Sequence, residues 1–479
     1  MIRLSKQSLK NNFIFQFAYQ IIVLVVPLVI SPYLTRILGD TSLGKFTFVN
    51  SIASYFVLLA NLGIAKYGQR LIAKNSKNED DLRKAFWSLF TVHAIFSMLC
   101  LAIYLVVFSF FHFEDQVLYL VETIFVASAL FDITWLFYGL ENFKGVVIRN
   151  AIIKVLECIS IFLLVKKESD ILVYTIISAS TILLGQLIMI PQAILSVRPI
   201  GFHFSDCKVH IKPLLLFSVS VFAVTLYTVF DKTLLGLMST KENVAYYEYA
   251  NKIIALPRTF TTIIGAVLFP RACRMVSDGD QKGQLDYVKI SLLFVSFVGM
   301  ASAFGLLAIS KQFAIYYYGK QFAESGNVMM ALCLLPFIIG LGDIMRMVFL
   351  IPHGMDKEYT ICIVLNAVIN LILSFLLIPL LGLYGAVIGT LSAELFGCIV
   401  QIILCRKFFN ISLVIKSSIP FFIIGFFMYK IVIIVGEHLN KNDFLSIVFQ
   451  IGIGAIVYLL LSFMFVIFFE KKIISKYKN

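Results

Sequence analysis

The chain runs as long apolar stretches of about twenty residues separated by short polar connections, almost from end to end. The stretches show no period-two alternation, and about twenty apolar residues cross the ~30 Å hydrocarbon layer as a helix. Backbone polar groups in lipid must be satisfied within the segment, which a helix does and an open strand does not. The pattern predicts an all-α polytopic membrane bundle of about fourteen transmembrane helices. The expected spans are 13–34, 43–66, 86–111, 117–138, 146–165, 170–196, 211–239, 245–270, 287–310, 326–352, 358–380, 383–405, 416–436 and 446–469. The longest connection, Lys66 to Lys84, has little apolar periodicity, and none could hold a catalytic or nucleotide-binding domain. No Gly-x-x-x-x-Gly-Lys-[Ser/Thr] phosphate loop is present.

Composition agrees with lipid as the main solvent: 60% of the 479 residues are hydrophobic and 14% charged. The formal charge of +13 reports topology rather than a nucleic-acid partner. Counted over alternate connections, about 26 Lys and Arg fall on the side holding both termini and about eight on the other, the positive-inside asymmetry of a chain with cytoplasmic termini. The basic tail (Lys471, Lys472, Lys476, Lys478) is placed to meet anionic headgroups. The first span is too long for a removed signal peptide. With eight cysteines and no Cys-x-x-Cys pair, neither disulfides nor a metal nor any other cofactor is expected. Histidines are scattered, there is no Gly-x-Ser-x-Gly turn, and no enzyme constellation emerges.

The chain also repeats itself. Phe46/Tyr247, Phe48/Tyr249, Asn50/Asn251, Ile52/Ile253, Ala65/Ala266 and Arg70/Arg271 recur at one constant offset. Six spans per copy is an even number, so the copies would lie parallel, a layout used by alternating-access carriers with a central cavity. The expected division is a six-helix lobe over 1–196, a second over 197–410, and an accessory helix pair with the basic tail over 411–479. Rocking of one lobe against the other would open the cavity to each side in turn, with Pro27 and Pro32 breaking or bending the first span.

An ionisable group at the bilayer centre costs about 2.5–3.5 kcal/mol on insertion scales, so each one asks for a reason. Glu122, Asp132, Lys154, Glu157, Asp231, Lys232, Lys252, Arg258, Asp343, Arg346 and Glu394 all fall within spans. Asn150/Lys154/Glu157, Asn366/Asn370/Ser374 and Thr390/Glu394/Gln401 form helical stripes that fit either an aqueous cavity or a buried polar interface. Lys154 with Glu157, and Asp343 with Arg346, fit intrahelical neutralisation as well as ligand contact. Asp132 and Glu122 sit near opposite span ends, where headgroups could solvate them. Arg36 stands out because its only near acid, Asp40, lies beyond Gly39.

Certain segments carry a resemblance. Pro32-Tyr-Leu-Thr-Arg-Ile-Leu-Gly39 with Gly44, Asn61-Leu-Gly-Ile-Ala-Lys-Tyr-Gly-Gln-Arg70 and Phe131-Asp-Ile-Thr-Trp-Leu-Phe-Tyr-Gly-Leu-Glu141 resemble motifs of Wzx-type polysaccharide flippases. So do Phe230-Asp-Lys-Thr-Leu-Leu-Gly236, Tyr246-Tyr247, Pro270-Arg271 and Ile351-Pro-His-Gly354, with Ala245 departing from a usual glycine. These flippases belong to the multidrug/oligosaccharidyl-lipid/polysaccharide exporter superfamily. The resemblance implies a non-enzymatic carrier in the bacterial cytoplasmic membrane. It would move undecaprenyl-diphosphate-linked oligosaccharide repeat units to the outer leaflet for O-antigen, capsule or exopolysaccharide assembly. It implies membrane lipids, a polysaccharide polymerase and a chain-length regulator as partners. Basic groups suit the diphosphate, which makes Arg36, Lys154, Lys232, Lys252, Arg258 and Arg346 the candidate contacts. Asp231 and Glu394 are candidates for a coupling ion or sugar. The alternative is a multidrug/cation antiporter of the same superfamily, whose cavity should favour acids over bases. The driving force stays open between downhill polymerisation, a proton gradient and membrane potential.

Overall fold

A computed structural model describes residues 9–201, 204–439 and 444–469; the basic tail lies outside them. Sixteen α-helices follow one another with no strand among the described residues. They divide into two compact units, Met1–Gly236 and Leu237–Asn479. The first contains α1 (Leu9–Asn61), α2 (Ile64–Asn75), α3 (Glu79–Phe110), α4 (Gln116–Ser128), α5 (Thr134–Gly139), α6 (Phe143–Leu164), α7 (Ile171–Ser196) and nearly all of α8 (Phe204–Met238). The second contains α9 (Lys241–Ser277), α10 (Gln281–Tyr317), α11 (Ala323–Ala331), α12 (Leu335–Ile344), α13 (Asp356–Leu381), α14 (Leu383–Cys405), α15 (Ser412–His438) and α16 (Phe444–Phe469). Among the described residues ten helical stretches are long and apolar enough to cross a membrane, or eleven if the pair Lys320–Ala331 and Leu335–Leu350, bent by 41°, is one span. The chain is a multi-pass, all-α membrane protein.

In the first unit, α1 covers two expected spans as one helical run interrupted at Gly39 (φ 73°, ψ 177°). Only glycine enters that backbone region cheaply. Of the expected break or bend at Pro27 and Pro32, the break is corrected: helical dihedrals continue through both. Thr35 Oγ1 and an Arg36 guanidinium nitrogen donate to the Pro32 carbonyl at 3.2 and 2.9 Å. In the second unit Thr240 is the N-cap of α9 and its side chain accepts from the Asn243 amide at 3.4 Å.

The Asp-Trp-Gly-Leu-Glu segment builds packing. Asp132 Oδ1 accepts from the Thr134 amide (3.1 Å) and hydroxyl (2.6 Å), and Trp135 Nε1 donates to the Asp132 carbonyl at 3.1 Å. That turn swings Trp135, 1% exposed, onto Gly68 of α2 and against Phe86 of α3. A Cβ at Gly68 would meet the indole at 2.7 Å. Asp132 is thus a turn-forming residue with its partners on the chain.

In the second unit, α13 and α14 pack through Gly385-Ala-Val-Ile-Gly389, a small-x-x-x-small face. A Cβ at Gly385 would meet the Ile378 backbone nitrogen at 2.5 Å, while Ser374 and Asn366 fill the space over Gly389 and Gly397. Asn370 and Ser374 are buried, while Leu371, Ile372 and Phe375 on the same helix are exposed for lipid. The Asn366/Asn370/Ser374 stripe is therefore a polar helix–helix interface. The pair α15/α16 packs on α10: Tyr458 donates to the Phe297 carbonyl at 2.7 Å, and the Ser296 and Ser418 hydroxyls meet at 3.1 Å.

Candidate functional site

The second unit gathers two of the expected site residues around one carboxylate. Pro257 precedes Arg258 in the middle of α9, and Asp343 lies one residue before the end of α12. There the helix widens into a π-helical turn over Met345–Leu350 that carries Arg346. Such turns are uncommon and recur at functional sites. Asp343 is 6% exposed and forms an ion pair and hydrogen bond with Arg346, three residues on. Arg346 also lies over the Tyr359 ring of α13, at 5.5 Å from its centroid, while its Nε finds no hydrogen-bond partner.

Arg258 is the unusual member. It is half-buried, and no side-chain hydrogen bond or ion pair within 4 Å reaches it among the described residues. Asp343 attracts its guanidinium from a distance and Arg346 repels it. Two guanidiniums share one carboxylate, leaving an excess positive charge in a segment where charge is expensive. That excess suits an anionic ligand with several oxygens, because guanidinium presents a planar fork of donors.

The remaining expected residues are placed as follows. Arg36 is exposed on α1, beside the Gly39 interruption, and donates to the Pro32 carbonyl. Lys154 pairs with Glu157 on α6 at 2.6 Å, the intrahelical arrangement. Asp231 is buried and Lys232 half-buried on α8. Lys252 lies 4.0 Å from Glu248 and 4.0 Å from the Tyr249 ring centroid. Glu394 is half-buried on α14. Within its stripe, Thr390 hydrogen-bonds Tyr247 of α9 at 2.7 Å, and Gln401 faces Gly342 of α12.

Sequence reasoning missed Arg149. It is 7% exposed on α6, donating to the Gly185 carbonyl at 2.5 Å and Gln186 Oε1 at 3.1 Å, both on α7. Its partners are not acids and lie on another helix, so a search for charge pairs at helical spacing passes over it. Asp343 was visible as an embedded acid, but its position between two arginines was not. Glu122 is buried rather than solvated by headgroups, and one of its oxygens accepts from Asn50 of α1 at 3.3 Å. His93 on α3 is 2% exposed with neither ring nitrogen hydrogen-bonded. At the end of α9, Arg271 covers the Tyr287 ring at 4.9 Å and lines a cavity of about 570 Å³ with Arg274 and Asp278.

His210 stands just ahead of the expected span 211–239, between the Tyr67 hydroxyl (2.8 Å) and the Ser88 hydroxyl (2.9 Å). Burial lowers its pKa from the ordinary 6.5, with Asp206 opposing.

The fold and site define a multi-pass, all-α membrane protein with ionisable groups buried inside its spans. The chain shares its fold, over most of its length, with two solved structures. The lipid II flippase MurJ in an inward closed conformation aligns with a TM-score of 0.74 at 18% identity, over 95% of this chain and 98% of that one. An inward-facing multidrug resistance MATE transporter of the MOP superfamily aligns with a TM-score of 0.56 at 16% identity, over 84% and 96%. The family is particular: residues 9–276 match the model of the polysaccharide biosynthesis protein family, and the chain belongs to it. A Shigella dysenteriae protein named as an O-antigen transporter is 26% identical over 81% of this chain and 97% of its own length.

Proposed function

We propose that the protein flips undecaprenyl-diphosphate-linked oligosaccharide repeat units from the cytoplasmic to the outer leaflet, for O-antigen, capsule or exopolysaccharide assembly. The carrying observation is the excess of guanidinium over carboxylate where Arg258 and Arg346 share Asp343. A diphosphate headgroup cannot cross hydrocarbon unaided, whereas its polyprenyl tail stays in lipid. Two guanidiniums with unused donors supply the charge and forked geometry it needs. A drug cation would be repelled by the same excess.

The finer organisation belongs to the same reading. Fourteen spans form parallel six-helix lobes over 1–196 and 197–410, with 411–479 accessory, and both termini face the cytoplasm. Transport proceeds by alternating access, one lobe rocking against the other. Arg36, Lys232 and Lys252 are further diphosphate contacts, and Lys154 ranks behind them because Glu157 occupies it. Asp231 and Glu394 serve a coupling ion or the sugar.

The test is the leaflet distribution of lipid-linked repeat units in cells with wild type, a deletion, or Arg258→Gln at normal protein abundance. Accumulation on the cytoplasmic leaflet in the deletion, reproduced by Arg258→Gln, is expected. An unchanged distribution in a strain without a second carrier would sink the reading and bring drug export forward.

A further inference from the structure

Asp343 raises a question that diphosphate binding alone does not answer. A carboxylate on the site's own arginine lowers the positive charge offered to an anion. Yet Asp343 is among the more buried acids of the second unit, directly paired with Arg346 and within electrostatic reach of Arg258. It stands three residues before Arg346 on one helical run, so it faces that guanidinium at a high effective concentration whatever the ligand does. In an empty site Asp343 holds Arg346. When a diphosphate takes the Nη2 edge of Arg346 that Asp343 holds, the buried carboxylate loses its hydrogen-bonded partner, which is unfavourable. Re-forming the pair then favours departure of the ligand. A carrier needs this opposition, because an anion held by two uncontested guanidiniums leaves slowly, and transport requires exit as much as entry.

We infer that Asp343 is a release residue: an internal counter-anion that competes with the diphosphate for Arg346 and speeds its discharge. This rests on the flippase reading above. Asp343 is a positioning residue, acting through Arg346. Removing its charge should strengthen binding and slow transport together, whereas a purely structural aspartate would weaken both when lost.

The experiment uses the full-length protein in zwitterionic lipid nanodiscs with geranylgeranyl diphosphate as probe, alongside surface polysaccharide per copy of protein in cells. Asp343→Asn is expected to bind the probe at least tenfold tighter with slower dissociation, while surface polysaccharide falls at least fivefold. Asp343→Glu, which keeps the carboxylate, is expected to restore most of the transport. Because two arginines without an acid could impair folding, a second comparison sets Arg258→Gln against Arg258→Gln/Asp343→Asn. The double variant keeps the wild-type charge balance among these three positions and is expected to bind at least tenfold tighter than the single one. Equal or weaker binding in Asp343→Asn, or in the double variant, overturns the release role while leaving diphosphate recognition standing. A wild-type protein that binds no geranylgeranyl diphosphate removes both readings.

Discussion

Arg346 is ion-paired with Asp343 one turn earlier, where α12 passes into a π-helical turn, and Arg258 of α9 has no direct side-chain partner among the described residues while feeling both charges. The carboxylate thus meets one guanidinium directly and the other only through space, and positive charge stays in excess.

Arg258→Gln should separate function from folding. The substitution removes an uncompensated charge, so the thermal midpoint in detergent should hold or rise. A charge-assisted hydrogen bond to ligand is worth about 1.5–3 kcal/mol, so transport per copy should fall roughly tenfold or more. Normal transport by a stable, abundant variant would take Arg258 out of the site.

Lys154→Gln should behave in the opposite way. It strands the largely buried Glu157 carboxylate and should cost about 1–3 kcal/mol of stability. Lys154→Gln/Glu157→Gln should recover most of that loss, and transport normalised to protein level should stay near wild type. A double variant that is stable but inactive would return Lys154 to the list of ligand contacts.

Gly39→Ala tests where the first long helix is interrupted. At φ 73° and ψ 177° a side chain is strained by about 1–3 kcal/mol. Pro32→Ala restores a helical N–H and should be neutral or stabilising. Thermal unfolding of both variants decides; greater damage from Pro32→Ala would contradict the observed geometry.

Trp135→Ala should lower stability by about 3–5 kcal/mol, the usual cost of emptying a buried aromatic site. Membrane abundance should drop, and a helper substitution that stabilises the fold elsewhere should restore transport. A variant of normal abundance that still fails to transport would give the indole a direct role.

His210 gives the fold a pH dependence. Its folded pKa is lowered, so the unfolded state takes up a proton first as pH falls. Above pH 6.5 both states are neutral and the contribution is constant. Below 6.5 stability falls with pH until the folded pKa is passed. His210→Gln should flatten the thermal midpoint over that window, and an unchanged slope would assign the effect to other groups.

Much of the architecture follows from the sequence because lipid is a severe solvent. Apolar stretches of span length have few folded options, and the helices follow them. Pairings at i, i+3 or i, i+4, such as Lys154 with Glu157, could be posed from spacing, although spacing could not choose between neutralisation and ligand contact. What tertiary structure decided was every relationship across helices. Arg149 is satisfied by a carbonyl and a carboxamide of α7, Asn366 and Ser374 fill space over glycines of α14, and Asp132 folds a turn that seats Trp135 on Gly68. The break at Gly39, not at the prolines, was likewise a matter of backbone dihedrals. The excess charge at Arg258 and Arg346 belongs to the same class. Charge on a helix is written in the sequence, but whether it is compensated depends on which helix packs against it.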